Sequence, residues 1–147
     1  MLKLSRQEQN AERGMHVYDM SLVVMDTNVL VSALLSKTGN PAKILNKFLA
    51  GELTLVYSEV ILEEYEDVLY RPKLKIPAEE ADAVITDILL HGAEVWPLPS
   101  FTPLPDEDDR CFYDAATAAG AYLVTGNARH YPTELFVLSP TAFVELH

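Results

Sequence analysis

The sequence is poor in cysteine and in basic residues, and each shortage excludes a class of protein. The single cysteine, Cys111, excludes an internal disulfide and is typical of a reducing cytoplasm. Only 11 of the 147 residues are lysine or arginine against 22 that are aspartate or glutamate, so the formal net charge is −11. Such a charge argues against a non-specific DNA coat and a membrane-surface protein. It remains compatible with a basic partner, or with a nuclease whose divalent metal neutralises the site locally.

Long apolar runs and several catalytic motifs are also missing. No run approaches the roughly 18 apolar residues that span a bilayer, and residues 1–19 lack the continuous apolar segment of a secretory signal. We expect residues 1–20 to form a polar leader, either disordered or helical, and Met15 and Met20 offer later translation starts. No glycine-rich phosphate loop, Ser/His/Asp order or nucleophilic cysteine context is visible. The four histidines show no metal-ligand spacing, although His130 is close enough in sequence to the candidate site to contact a phosphate.

The chain instead alternates strand and helix signals from residue 22 onward. Apolar runs predict strands at residues 22–25, 53–57, 93–96, 121–125 and 136–138. Caps and prolines predict helices at residues 28–35, 40–50 with Asn40 as cap, 59–70, 77–91, 109–119 and after Ser139-Pro140. Strands that alternate with helices imply a parallel sheet with right-handed crossovers. We therefore predict one α/β domain over residues 21–147, a three-layer α/β/α sandwich whose central, mainly parallel sheet has about four or five strands.

A carboxylate follows the first predicted strand. The apolar run Leu22-Val23-Val24-Met25 ends at Asp26, and Thr27-Asn28 come next. A carboxylate at the exit of a buried parallel strand is costly unless a cation meets it. Ligands of open α/β sheets gather outside the carboxyl ends of the strands, so Asp26 is placed for a site. The amide of Asn28 is expected to be structural, either fixing the Asp26 carboxylate or capping the next helix.

Helical periodicity separates one acid from its neighbours in the helix after Ser58. At about 100° per residue, Glu64 falls inside a broad apolar arc, flanked by Val60 and Val68. The other acids of this helix fall on the opposite side: Glu59, Glu63, Glu66 and Asp67. An acid directed towards the core needs a cation or hydrogen-bond donors there. The alternative is that Glu64 lies at the edge of the arc and pairs with a basic surface residue.

The same periodicity singles out Asp109, which projects from the middle of the predicted buried face of the helix at residues 109–119. That face consists of Phe112, Tyr113, Ala115, Ala116, Ala119 and Gly120. Asp114 and Cys111 fall on the polar side with Arg110, so both are left out of the site. The acids that precede the helix either cap it or complement its dipole: Asp106, Glu107 and Asp108.

An amide completes the set of candidate ligands. Asn127 follows Thr125-Gly126 at the end of a predicted strand, as Asp26 follows the first. It is either a metal or water ligand, or a turn residue that tolerates left-handed geometry. A cluster of Asp26, Glu64 and Asp109, without histidine or cysteine ligands, suits Mg²⁺ or Mn²⁺ rather than zinc or copper. Without metal, such clustered charges raise one another's pKa values.

With these residues placed, the chain resembles the PIN-domain family of metal-dependent ribonucleases, and within it the toxins of type II toxin–antitoxin systems. The resemblance runs from about residue 22 to 144 and is strongest at residues 24–30, 58–69 and 106–127. It implies that Asp26, Glu64 and Asp109 hold one or two divalent ions. The family usually has a fourth acid where this chain has Asn127, a departure that weakens binding of a second ion.

The resemblance also implies an activity. The expected protein is an endoribonuclease that uses Mg²⁺ or Mn²⁺ to hydrolyse RNA, leaving 5′-phosphate and 3′-hydroxyl ends, with Asp109 orienting or deprotonating the attacking water. A cytoplasmic homodimer with a small antitoxin as partner, and no membrane association, is implied as well. The basic residues either guide the RNA backbone or are ordinary surface charge: Arg71, Lys73, Lys75, Arg110 and Arg129.

Two further interpretations stay open on the residues alone. A PIN-like module without strong activity would act as a binding or regulatory partner, and Asn127 and the net charge of −11 favour it. A phosphatase of the haloacid dehalogenase type also begins with a strand-end aspartate. Response-regulator receivers share the topology, but they need acids and a lysine that do not appear in this chain. That phosphatase needs a second aspartate two residues on, where this chain has Asn28.

Overall fold

The computed structural model describes residues 19–147, so the predicted leader lies outside the described residues except for its last two positions. Those two positions belong to the first strand, which begins earlier than predicted. The strands are β1 (Asp19–Met25), β2 (Thr54–Tyr57), β3 (Ala93–Glu94), β4 (Ala121–Val124) and β5 (Val137–Leu138). The α-helices are α1 (Thr27–Leu35), α2 (Asn40–Leu49), α3 (Glu59–Leu69), α4 (Ala78–His91), α5 (Arg110–Ala119) and α6 (Pro140–Leu146). No helix within residues 19–147 is long and apolar enough to cross a bilayer.

The strands form one parallel sheet in the order β3-β2-β1-β4-β5, which confirms the predicted α/β class. From β1 the chain builds outward to β2 and β3, and then returns to the other side of β1 to add β4 and β5. The strand order therefore reverses between β1 and β4, where Met25 is paired with Val124. In open α/β sheets a crevice opens at this switch point, outside the carboxyl ends of the strands.

The buried core lies on both faces of the central strand. Val23, Val24 and Met25 of β1 are fully buried, as the continuous apolar run predicts. Helix α5 packs against β1, β2 and β4, and α4 packs against β2. Helices α1, α2 and α6 form a second group, in which α2 contacts the other two. The result is the predicted three-layer sandwich.

Serine caps fix the start of two helices at the predicted positions. Ser58 and Ser139 accept hydrogen bonds from the N–H groups of Ile61 and Ala142. The prediction that Asn40 caps α2 is wrong, because Gly39 occupies the cap and Asn40 is the first helical residue. The Asn40 amide instead donates to Thr141 Oγ1 at 2.9 Å, so it links α2 to α6.

Candidate metal centre

Asp26 lies at the carboxyl end of β1, at the switch point of the sheet. It is only 6% exposed, and its Oδ2 accepts hydrogen bonds from Thr125 Oγ1 at 2.8 Å and from the Tyr131 hydroxyl at 3.2 Å. Its Oδ1 accepts a longer bond of 3.4 Å from the backbone N–H of Asn28, rather than from the side-chain amide that was predicted. No basic side chain within residues 19–147 forms an ion pair with Asp26. The carboxylate is therefore positioned by neutral donors only.

Glu64 is half-buried on α3. The prediction that Val60 flanks it in a buried arc is wrong, since Val60 is 58% exposed. The buried face of α3 is instead centred on Tyr65, whose hydroxyl donates to the carbonyl oxygen of Met25 at the end of β1. This contact turns α3 so that Glu64 lies at the edge of the buried face. No ion pair of Glu64 with a basic residue is found within residues 19–147, so the alternative of a surface pair is not supported.

Burial and neighbouring charges act on Glu64. Burial raises the pKa of its carboxyl, and the charges of Asp26 and then Asp109 raise that pKa further. Thr27 Oγ1 is buried and makes no hydrogen bond of normal geometry, yet it is close enough to Glu64 to lower that pKa in part. The net effect is a carboxylate whose negative charge is poorly compensated.

Asp109 lies in the short 3-10 turn Glu107–Asp109, directly before α5. Its Oδ2 is buried without a hydrogen bond and lies 3.3 Å from His130 Nδ1, a separation that gives an ion pair when the imidazole is protonated. Burial raises the pKa of Asp109, as do the charges of Asp26 and Asp106, while His130 lowers it. His130 is therefore the side chain that partly offsets the negative charge of Asp109.

Three segments that are distant in the chain thus bring acids to one crevice. The charge of Asp26 raises the pKa values of both Glu64 and Asp109, and Asp109 acts on Glu64 in the same sense. Effects of this kind require like charges at short range. The fold places the three predicted acids near one another, and their role as ligands stays a prediction.

Asn127 lies beyond the end of β4, and its backbone N–H donates to Thr125 Oγ1 at 3.0 Å. Because the same hydroxyl donates to Asp26, Thr125 links the ends of β1 and β4. Asn127 has a φ of −128°, so the alternative that it serves as a left-handed turn residue is wrong. Its role as a metal or water ligand stays a prediction.

Two further residues extend the acidic centre beyond the predicted set. Asp106, Asp109 and His130 each offer a donor atom, and these atoms lie within 4.8 Å of one another. Asp106 also caps the turn before α5, as predicted, by accepting from the N–H of Asp108 at 3.0 Å. The proximity of His130 to the site in sequence hinted at its position, but nothing in the sequence pairs it with Asp106. Similarly, no pattern identifies Tyr131 as a donor to Asp26.

The prediction that Asp114 and Cys111 occupy a polar face of α5 is wrong for both residues. Asp114 is buried, and its Oδ2 accepts from the N–H of Ser100 at 3.3 Å. Cys111 packs partly into the core, where burial and the charge of Glu64 raise the pKa of its thiol to about 12. The reason for Asp114 is that the loop after β3 contacts this face of α5, whereas Cys111 lies close to Glu64 and Tyr65 of α3. Arg110 holds the loop by donating to the carbonyl oxygens of Ser100 and Thr102, both at 2.8 Å, so it is not free to guide RNA.

The residues present fit a hard divalent cation. Asp26, Glu64 and Asp109 supply carboxylate oxygens, the donors that Mg²⁺ and Mn²⁺ prefer. The raised pKa values of Glu64 and Asp109 are the features that a cation would relieve. The nearby imidazole of His130 is a donor that suits Mn²⁺ better than Mg²⁺.

An acidic crevice at the switch point of a five-stranded parallel sheet defines a nuclease-like α/β domain. A model of the PIN domain matches residues 22–129, and the chain belongs to the PIN-domain family. A protein of Methanocaldococcus jannaschii described as uncharacterized is 30% identical over 108 residues, which cover 71% of this chain and 70% of that protein. No solved structure matches the chain significantly. PIN domains are generally nucleases that use divalent metals, so membership disfavours the phosphatase interpretation.

Proposed function

We propose that the protein is an endoribonuclease that depends on Mg²⁺ or Mn²⁺ and hydrolyses RNA phosphodiester bonds. The observation that carries the proposal is the convergence of Asp26, Glu64 and Asp109 at the switch point of a PIN-domain sheet, with no lysine or arginine among residues 19–147 paired to them. Negative charge gathered in this way would repel RNA unless a cation were bound. Clustering of these three acids is therefore favourable only when the protein has a cation bound.

The metal would be held by Asp26, Glu64 and Asp109, with the Asn127 side chain as a further oxygen donor. When bound, such an ion lowers the pKa of a coordinated water and stabilises negative charge on the scissile phosphate. Asp26 is the fixed ligand, since Thr125 and Tyr131 hold its Oδ2 in place. Asp109 Oδ2, which lies 3.3 Å from His130 Nδ1, would orient the attacking water or accept its proton. Attack by external water would leave 5′-phosphate and 3′-hydroxyl ends.

The proposal also concerns the role of the protein in the cell. We infer a toxin of a toxin–antitoxin pair that acts as a cytoplasmic homodimer and is neutralised by a small antitoxin. The lone, partly buried thiol of Cys111 supports a reducing compartment. The net charge of −11 supports a basic partner segment.

A second candidate function is a PIN-like binding module with little activity. Asn127 favours it, because an amide contributes one charge fewer to metal binding than the acid usual at that position. Calorimetric titration with Mn²⁺ separates the two candidates. Absence of binding at millimolar metal would favour the inert module.

The experiment that tests the nuclease compares two neighbouring variants on α3. Glu64→Gln keeps the side-chain size but removes one ligand charge, whereas Glu63→Gln makes the same change at an exposed position of the same helix. With Mn²⁺ and a labelled single-stranded RNA, we expect Glu64→Gln to lose at least about 100-fold in cleavage rate, the order of one electrostatic contact in a transition state. Glu63→Gln should cleave as the wild type does. Equal cleavage by both variants, or undiminished cleavage in EDTA, would refute the proposal.

A further inference from the structure

A tyrosine outside the predicted set of ligands directs its hydroxyl at Asp26. Tyr131 follows the short 3-10 turn Ala128–His130, it is only 3% exposed, and its hydroxyl donates to Asp26 Oδ2 at 3.2 Å. Burial raises the pKa of Tyr131 above its ordinary value, and so do the charges of Asp26 and then Asp109. The hydroxyl therefore keeps its proton and acts as a hydrogen-bond donor to the carboxylate.

The two carboxylate oxygens of Asp26 differ in their surroundings. Oδ2 accepts from two hydroxyl groups, those of Thr125 at 2.8 Å and of Tyr131 at 3.2 Å. One oxygen of an ionised carboxylate accepts about two hydrogen bonds, so these donors use the capacity of Oδ2. Oδ1, by contrast, accepts one long bond of 3.4 Å from the backbone N–H of Asn28 among the described residues. Oδ1 is therefore the oxygen that remains available to a cation.

The number of Asp26 oxygens that can bind a cation affects which cation is preferred. Mg²⁺ and Mn²⁺ prefer an octahedral shell of oxygens, to which a carboxylate contributes a single atom. Ca²⁺ takes about six to eight oxygens at longer distances and often uses both oxygens of one carboxylate. Thr125 and Tyr131 are both buried, so Asp26 cannot turn to offer both oxygens without losing the bonds that hold Oδ2. Such a ligand favours an octahedral ion.

We propose that Tyr131 is a positioning residue of the metal centre, which together with Thr125 restricts Asp26 to binding through Oδ1 alone and so favours Mg²⁺ or Mn²⁺ over Ca²⁺. The proposal rests on the proposed metal-dependent function and concerns the choice of ion at the same site. Groups that hold a metal ligand in place contribute about 10–100-fold to metal affinity. Loss of the Tyr131 hydroxyl therefore weakens Mn²⁺ binding. Ca²⁺ binding is weakened less, because one of the bonds that hold Oδ2 is removed.

Calorimetric titration of Mn²⁺ and of Ca²⁺ into the full-length protein measures the preference for one ion over the other. Tyr131→Phe removes the hydroxyl and keeps the ring, so the preference of the wild type for Mn²⁺ should fall by about tenfold, the lower end of the range for such partners. The matched control is Tyr113→Phe, because Tyr113 is also buried and its hydroxyl also donates to a carboxylate at 3.2 Å, that of Glu134. The control should keep the wild-type preference.

A merely structural role of Tyr131 gives a different result. Loosening of the fold would lower the affinities for Mn²⁺ and Ca²⁺ alike, so an unchanged preference in Tyr131→Phe would overturn the proposal. An equal fall in Tyr131→Phe and Tyr113→Phe would overturn it too, since Tyr113 does not contact Asp26.

A second pair of variants tests the other bond to the same oxygen. Thr125→Val removes the Thr125 donor to Asp26 Oδ2, so the preference for Mn²⁺ over Ca²⁺ should fall here as well. Thr117→Val removes a hydroxyl that donates to the backbone carbonyl oxygen of Asp114 in its own helix, so the preference should not change. Circular dichroism establishes that each variant is folded before the titration. A wild-type preference in folded Thr125→Val would contradict binding through Oδ1 alone.

The outcomes separate this inference from the proposed function. Metal-dependent RNA cleavage by the wild type, with an unchanged ion preference in Tyr131→Phe, would leave the nuclease standing and overturn the role of Tyr131. A lowered preference in Tyr131→Phe, without RNA cleavage by the wild type, would support the role of Tyr131 and refute the nuclease. Equal affinity of the wild type for Mn²⁺ and Ca²⁺ would overturn the role of Tyr131, and absence of Mn²⁺ binding would overturn both.

Discussion

Thr125 is the residue whose replacement tests the architecture of the centre most cleanly. It is fully buried, it donates to Asp26 Oδ2 at 2.8 Å, and it accepts from Asn127 N–H at 3.0 Å. Thr125→Val removes both hydrogen bonds without a change in shape, so no cavity contributes. A bond to a charged group is worth about 1.5–3 kcal/mol and a neutral one about 0.5–1 kcal/mol. The expected loss in free energy of unfolding is therefore about 2–4 kcal/mol.

The assay is urea unfolding of the metal-free protein followed by far-UV circular dichroism. We expect a lower midpoint at unchanged m-value, because the surface exposed on unfolding stays the same. In a chain of this length the same loss lowers Tm by roughly 6–12 °C, at about 3 °C per kcal/mol. The matched control is Thr117→Val on α5, where the hydroxyl donates only to the carbonyl oxygen of Asp114 in its own helix. That change should cost less than about 1 kcal/mol.

The reasoning fails if Thr125→Val costs no more than Thr117→Val. Such a result would mean that Thr125 does not hold the Asp26 carboxylate in the folded protein. The crevice between β1 and β4 would then lack the fixed ligand on which the proposed metal centre is built.

Two further predictions concern the electrostatics of the site. The pKa values of Glu64 and Asp109 are raised in the folded protein, so the folded protein binds protons more tightly than the unfolded chain does. The contribution of these two groups to the stability of the metal-free protein therefore falls as the pH rises from their unfolded-state pKa values to their folded-state pKa values. Mn²⁺ should therefore raise Tm more at pH 7.5 than at pH 5, and this difference between the two Tm shifts should be smaller in Glu64→Gln. A Tm shift of equal size at both pH values would contradict this account. Burial raises the pKa of the Cys111 thiol to about 12. At pH 8, iodoacetamide should therefore modify Cys111 much more slowly in the folded protein than in the protein unfolded in 6 M guanidinium. Equal modification rates in the two states, measured by mass spectrometry, would contradict the burial of Cys111.

Much of the fold follows from local chemistry. The apolar run before Asp26 predicts a strand buried on both faces, and serine caps such as Ser58 locate helix starts to the residue. The order of the strands in the sheet is harder to predict from the sequence. It depends on which face each helix covers, and that is decided by packing between segments far apart in the chain. Even so, acids at strand ends and helix starts could be assigned to one edge of the sheet from the alternation alone.

Helical periodicity fails where a helix has more than one neighbour. Asp114 and Cys111 looked exposed because a helix with one buried face would leave them in solvent, yet the loop after β3 contacts Asp114 and Arg110, and Cys111 lies close to Glu64 and Tyr65 of α3. Val60 looked buried because its position falls in the apolar arc, but the Tyr65 contact with β1 sets the rotation of α3. Contacts of this kind arise from tertiary packing and leave no periodic signal.

The central claim is that Asp26, Glu64 and Asp109 share one divalent cation. A crystal structure of the protein soaked with Mn²⁺, with anomalous scattering recorded to locate the ion, tests it most directly. The account predicts a peak bound by carboxylate oxygens of all three residues. A peak held by Asp106, Asp109 and His130 without Asp26 and Glu64, or no peak at saturating Mn²⁺, would contradict it.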